Sequence, residues 1–370
     1  MHYWNLLMNI FSPLSQIKSM SQGLSQSLSK KLVGLLACAL LIGSASAQAV
    51  TLKIATVSPE GSGWMNVLRA SGKEIAARTD GRVKLKFYPG GVMGDDKAVM
   101  RKIRIGQLHG AVLTTGPLIP HYKDIQLFNL TMTFRDLDEV DYVRERLDQT
   151  VLDGLEANGF TAFGFAEVGF AYAMGLEEGT SVNFARTQKV WIPDGDVAAA
   201  QAVEAFGITP VPLAITDVLA GLQTGLINGV AVPPIGALAL QWHTQLKNAV
   251  DLPLLYIYGM LAVSNKHFKK VPQADQAIVR EVLANAVNEV NSTSRTDHEA
   301  ALAVLRNQGI EFAVPTAEET TEWRKYGEEA NERMVREGLL SAEMYNQVKA
   351  LLAEYRGQNQ SAAAKSAAAN

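Results

Sequence analysis

Residues 188–234 read QKVWIPDGDVAAAQAVEAFGITPVPLAITDVLAGLQTGLINGVAVPP, and their punctuation decides the fold. Lys189–Pro193 is a short apolar run stopped by Pro193 and the Asp194-Gly195 turn pair, which marks a strand. From Val197 to Phe206 apolar residues recur at helical spacing, with Asp196 placed to cap the free N–H groups. Thr209–Leu213 is a second strand. A helix opens at Thr216, runs to about Thr224, and ends at Gly225, a residue suited to a left-handed cap. Gly229–Val232 is a third strand, closed by Pro233-Pro234. Strand, helix, strand, helix, strand at this spacing predicts parallel pairing through right-handed crossovers. Ligands of such sheets sit beyond the carboxyl ends of the strands. Here those ends are Trp191–Pro193, Leu213–Ile215 and Val232–Pro233.

The same alternation comes earlier in the chain. Strands are expected at Thr51–Val57, Val83–Tyr88 and Gly110–Thr114. Between them stand a helix bearing Trp64, Val67, Leu68 and Ile75 and a second one capped by Asp95 and ending at Ile105. Asp138–Asn158 reads as helix, Thr161–Ala166 and Gly169–Met174 as strands, and Leu252–Ser264 as one long returning strand. No proline interrupts the helical pattern from Gln273 to Asn307. That is about thirty-five residues, or roughly 50 Å at 1.5 Å per residue, longer than one domain is wide, so it should brace two. Further helices are expected at Thr316–Arg336 and Ser341–Tyr355, and the Ala/Ser-rich residues 358–370 offer nothing to bury and read as disordered.

The expectation is therefore an α/β, two-domain chain with a cleft between the domains and a long bridging helix. Domain I spans 48–168 and domain II 169–256. Residues 257–357 supply the returning strand, the long helix and C-terminal helices that pack on both. Residues 1–47 are of another kind. Lys30-Lys31 precede the apolar run Leu32–Ile42, and Ala45-Ser46-Ala47 fits a cleavage site. At about eleven residues the run is short of the ~20 that span a bilayer, so it reads as a cleavable signal peptide, with Met20 an alternative start. The single cysteine, Cys38, lies inside this run; lipidation there is disfavoured because apolar residues continue after it. A cut after Ala47 leaves a secreted, periplasmic chain without disulfides that does not itself span a membrane.

Direct signs of chemistry are few. A net charge of −3 gives no reason to expect nucleic acid as a partner. Six histidines have no metal-ligand spacing, the G-x-S-x-G nucleophile elbow is missing, and Gly90-Gly91-Val92-Met93-Gly94 lacks the lysine of a phosphate loop. No catalytic cluster, metal or cofactor is expected, and the reading is a binding protein rather than an enzyme.

The pattern K-V-x-I-P, F-G-x-x-P-V-P-L and D-V-x-x-x-L-Q-T-G-x-x-N-G, within residues 189–229, resembles the DctP-type extracytoplasmic solute-binding proteins of TRAP transporters. Tyr88–Asp96, Gly106-Gln107-Leu108 and Leu261–Asn265 extend that resemblance over nearly the whole mature chain. It implies a small-molecule ligand captured by hinge closure and delivered to TRAP membrane subunits. It also implies an arginine for the substrate carboxylate, but that position holds Trp191. A second arginine falls near Ala171, an acidic or polar pair near Thr114-Thr115, and polar contacts where Val230–Pro234 stand. These departures predict a neutral or largely apolar ligand. A carboxylate held by backbone N–H groups and hydroxyls, or a ligand-sensing role in the envelope, are the alternatives.

The candidate lining follows from the strand ends. Trp191, Ile215, Val232 and Pro233 come from domain II, and Ser58, Trp64, Thr114 and Thr115 from domain I. Phe170, Tyr172, Tyr256 and Tyr258 stand at the expected crossing between them. The apolar members fit plain core as well as pocket, and Asp194 and Asp217 read as caps rather than ligands.

Overall fold

The computed structural model describes residues 49–369. The signal-peptide reading of 1–47, with Met20 and Cys38, lies outside them. The chain starts with β1 (Val50–Ala55), whose Leu52 and Ile54 are fully buried. Helix α1 (Gly63–Arg78) begins where the Ser62 hydroxyl accepts the Met65 N–H at 3.3 Å, and it turns Met65, Leu68 and Ile75 inward. After β2 (Val83–Tyr88), helix α2 (Asp96–Arg104) is capped by the Asp95 carboxylate, which accepts the Ala98 N–H at 2.7 Å. Strand β3 (Gly110–Leu113) completes a parallel set in the order β2-β1-β3.

Helix α3 (Leu137–Ala157) leads to β4 (Phe160–Ala162) and β5 (Ala166–Gly175). The strand expected at Thr161–Ala166 is thus divided, because Gly164 adopts a φ of +133° that breaks the extended chain. Next come β6 (Lys189–Pro193), α4 (Val197–Ala205), β7 (Thr209–Leu213), α5 (Val218–Thr224) and β8 (Gly229–Val232). β6 lies parallel to both β7 and β8, as the crossover spacing requires. Gly225 ends α5 in the left-handed region, at φ +71°. Pro233-Pro234 do more than close a strand. Pro234 opens helix α6 (Pro234–Ala239), where its missing N–H is no loss.

β9 (Asn248–Val250) and β10 (Leu255–Ser264) precede α7 (Gln273–Asn307), a continuous helix of 35 residues. β11 (Glu311–Ala313), α8 (Ala317–Arg336) and α9 (Ala342–Ala369) finish the described chain. Thr316 and Glu319 form a reciprocal capping box at α8. The disorder expected from residue 358 onward is corrected: α9 continues through Ala369. Gln358–Ser361 are exposed, so in that stretch the helix rests on propensity rather than on burial.

The strands join in one mixed sheet, β2-β1-β3-β10-β5-β8-β6-β7. β10 and β5 run antiparallel at its centre. Residues 260–263 of β10 pair with β3, while Leu255–Gly259 pair with β5, whose far end pairs with β8. These two strands therefore carry the chain between the halves of a two-domain α/β fold. α7 braces both halves. Val279, Val282 and Leu283 pack with Leu52, Ile54 and Met65, whereas Leu305 joins the core around Met174 and Val230.

Where β5 meets β10 the register shifts between Ile257 and Tyr258, and Gly169 sits opposite at φ +108°. Glu167 anchors this crossing. It is 2 % exposed, accepts the Tyr256 hydroxyl proton at 3.0 Å, and pairs with Arg295 of α7 at 3.2 Å. Asn291 and Ser294 of α7 hold its backbone N–H and carbonyl. Glu167→Ala leaves the Tyr256 hydroxyl without its acceptor, but Arg295 keeps Asp141 at 2.6 Å. The expected cost is therefore about 2 kcal/mol rather than the larger loss of an isolated buried pair. Urea denaturation of the variant checks this; an unchanged midpoint would remove Glu167 from the hinge.

Candidate ligand cleft

At the carboxyl ends of β6, β7 and β8 the two halves enclose a cleft of about 570 Å³. That volume suits a small organic molecule. Of the residues expected at the site, the second half contributes Trp191, Ile215, Val232 and Pro233, and the first half Ser58, Trp64, Thr114 and Thr115. β10 borders the cleft at Tyr258, but the Tyr258 ring is fully buried against Phe128 and Phe165, with its hydroxyl donating to the Ile125 carbonyl, and so belongs to the core rather than the lining expected for it. Trp191 is half-buried. Its indole Nε1–H donates to the Leu213 carbonyl at 3.0 Å, and its ring meets Trp242 edge to face at 5.1 Å. Thr115 is spoken for, since its hydroxyl donates to Asn129 at 2.8 Å and Asn129 in turn donates to the Tyr256 carbonyl. Thr114 is exposed to the cleft and presents its hydroxyl there.

Phe170, Tyr172 and Tyr256 are corrected: they do not line the cleft. Phe170 packs edge-on against Tyr256 at 5.7 Å, and Tyr172 against Phe312 at 6.1 Å. The Tyr256 hydroxyl is consumed by Arg144 at 3.0 Å and by Glu167. All three belong to the main core cluster. Ala171 is fully buried and pairs with Leu255 in the sheet, so an arginine side chain has no room there.

Several lining residues escaped sequence reasoning. Ile235, Gly236, Ala239 and Leu240 come from α6 and the turn after it, and Trp242 follows. Their signal was the second proline of the pair, which is compatible with a first helical position as well as with a strand stop. Charged residues were also missed. Asp95, Asp96 and Lys97 of the first half face Asp194 and Asp196 of the second, and the Lys97 ammonium lies 2.6 Å from Asp194. A Cβ added to Gly116 would come within 2.6 Å of the Asp196 carboxylate, so the halves meet closely here. Burial, followed by the charges of Asp95 and Asp196, pushes the Asp96 carboxyl up to about 6. Burial also raises Asp196, opposed by the N–H groups of Ala199 and Ala198. Among the described residues lining the cleft, no arginine occurs and Lys97 is the only cation.

A mixed α/β sheet in two halves, with a cleft between them and one helix bracing both, defines a periplasmic-type solute-binding protein. The sequence profile of the bacterial extracellular solute-binding protein family 7, DctP, matches residues 54–337, and the chain belongs to that family. The C4-dicarboxylate-binding periplasmic protein DctP of Rhodobacter capsulatus is 25% identical over 334 residues, covering 87% of this chain and 97% of its own. The sialic acid-binding periplasmic protein SiaP of Vibrio cholerae is 21% identical over 300 residues, covering 78% and 91%. A TRAP periplasmic solute-binding protein from Sulfurospirillum deleyianum, solved with bound succinate, superposes with a TM-score of 0.74 at 20% identity, covering 82% of this chain and 99% of its own. Another, from Citrobacter koseri with bound D-glucuronate, gives 0.73 at 21% identity, covering 81% and 98%. Among the described residues no helix is long and apolar enough to cross a membrane.

The raised Asp96 carboxyl gives a pH prediction. Its folded value, about 6, lies above the unfolded carboxylate value, so the folded state binds the extra proton between about pH 4 and 6. Its stabilising contribution is complete below about 4 and is lost as pH rises through 6. Asp96→Asn should accordingly raise stability at pH 7.5 by about 1–2 kcal/mol, discounted for partial solvent access, and by almost nothing at pH 4. Denaturant titrations at the two pH values check this. An equal effect at both would contradict it.

Proposed function

We propose that the chain is the periplasmic solute-binding subunit of a TRAP-type secondary transporter and that its cleft takes a small neutral, largely apolar solute. One observation carries the ligand class: the described lining contains no arginine, and its single ammonium is paired with Asp194. A carboxylate buried there without a countercharge costs several kcal/mol. The aromatic rings of Trp64 and Trp191 offer apolar contact instead. Trp191 stands where we place the family's carboxylate-binding arginine, following the K-V-x-I-P pattern. Ser58, Thr114 and Thr115, and Ile215, Val232 and Pro233, complete the proposed lining. The proposed domains are 48–168 and 169–256, with 257–357 packing on both, and closure about β5 and β10 retains the solute for the membrane subunits.

The succinate and D-glucuronate bound by structural relatives support a second reading, in which a carboxylate is held by hydroxyls such as those of Ser58 and Thr114 and by backbone N–H groups. Ligand-induced stabilisation separates the two. A solute at a hundred times its Kd raises stability by about 2.7 kcal/mol. A thermal-shift panel should respond to neutral aromatic or aliphatic solutes and stay flat with succinate and D-glucuronate; the reverse pattern would overturn the neutral reading.

Trp191 allows a sharper test. An indole presents 150–250 Å², and covering about half of it contributes on the order of 2–3 kcal/mol. Trp191→Ala should weaken a solute found in that panel by about one to two powers of ten. Because the ring also packs on Trp242 and bonds Leu213, some loss of melting temperature accompanies it. Unchanged affinity among folded molecules would make Trp191 a core residue only.

A further inference from the structure

Two helix starts and the one ammonium at the cleft are occupied by carboxylates of the chain itself, while a third helix start, that of α1, is capped by the Ser62 hydroxyl. α2 and α4, nine residues each, both begin at the cleft, and the free N–H groups of a helix start ordinarily attract anions. At α2 the Asp95 carboxylate takes that place, accepting the Ala98 N–H at 2.7 Å. At α4 Asp196 does so, accepting the Ala199 N–H at 2.9 Å. The Lys97 ammonium is held by Asp194 at 2.6 Å. We propose that Asp95, Asp194 and Asp196 form an anion-excluding collar that sets the specificity of the cleft, a refinement that rests on the neutral-solute reading.

The collar is built from both halves. Asp95 and Lys97 come from the first, Asp194 and Asp196 from the second, and Gly116 closes against Asp196 without room for a side chain. An anionic solute entering the open cleft meets separated charges. On closure it is enclosed with three carboxylates that have already taken the N–H groups of α2 and α4 and the ammonium, so the penalty falls on the closed state. A neutral solute pays none of this. Lys97 and Asp194 are 59% and 42% exposed, so their share is screened by salt, whereas Asp196 is more sheltered and keeps its effect. Asp96 lies in the same arc, with its carboxyl raised by burial and by these neighbours, and at neutral pH it adds to the same negative charge.

Asparagine separates charge from capping, because it caps a helix as well as aspartate does. The test compares the whole protein with its Asp194→Asn and Asp194→Asn/Asp196→Asn variants. Two dyes with one ring skeleton serve as probes, neutral N-phenyl-1-naphthylamine and its anionic 8-sulfonate, with succinate as a small anion measured by calorimetry. The wild type should bind the neutral dye at least about tenfold more tightly than the sulfonate. In the double variant the ratio of sulfonate to neutral-dye affinity should rise about tenfold, and succinate binding should become measurable. Adding Lys97→Met should reduce these gains, because the ammonium freed by Asp194→Asn is then gone. Unchanged sulfonate and succinate binding in variants that melt like the wild type would overturn the collar. Should the wild type bind neither dye, the neutral-solute reading fails, and the succinate arm alone decides the collar: a gain upholds it and no gain sinks it. Should the double variant not fold, the exposed Asp194→Asn variant carries the same comparison.

Discussion

Two strands, Ala166–Gly175 and Leu255–Ser264, belong to both halves of the sheet at once, and this shared ladder constrains everything else. A chain that must cross between two parallel sets of strands has few places to bend. Here the bend is at the register shift beside Gly169, where the ladder is interrupted and a left-handed backbone is accepted. A crossing whose ladder is interrupted there is braced from outside. α7 supplies the brace, holding Glu167 by its backbone and by its carboxylate. Glu167 is both anchored to α7 and placed beside the cleft, so the brace and the cleft wall meet at the same residue.

The cleft follows from the strand directions. β6, β7 and β8 are parallel and end at the same edge; β6 itself carries Trp191, and the segments after β7 and β8 carry Ile215 and Pro233, to one wall. The first half offers the loop after β1, with Ser58, and that after β3, with Thr114. Relatives of the family bind acids on this scaffold. In this chain the carboxylates at the cleft bond to the chain's own groups, Asp95 and Asp196 to helix starts and Asp194 to Lys97. A wall of aromatic and aliphatic side chains then remains as the main surface offered to a solute.

Much of the architecture was legible in the sequence because it is punctuated. Pro193, Asp194-Gly195, Gly225 and Asp196 each end or begin an element for a local reason, and β6, β7, β8 and α7 fall at the expected residues. What was not legible depended on partners far along the chain. β9 and β11 are three residues each and pair with one another, too short to show any alternation. Phe170, Tyr172, Tyr256 and Tyr258 have the aromatic character of cleft residues, and only their packing around β5 and β10 shows that all four rings lie in the core. The Lys97–Asp194 pair joins residues 97 positions apart, and no local pattern announces it. The alanine-rich end of α9 misled for the opposite reason, since a segment with nothing to bury can still be helical by propensity.

The central claim is that the cleft, without an arginine in its described lining and with its one ammonium already paired, holds an uncharged solute. Mass spectrometry of small molecules extracted from protein purified without added ligand addresses it directly. A neutral, largely apolar compound at near-stoichiometric amounts is the predicted result, and a dicarboxylate or sugar acid in that amount would contradict the account.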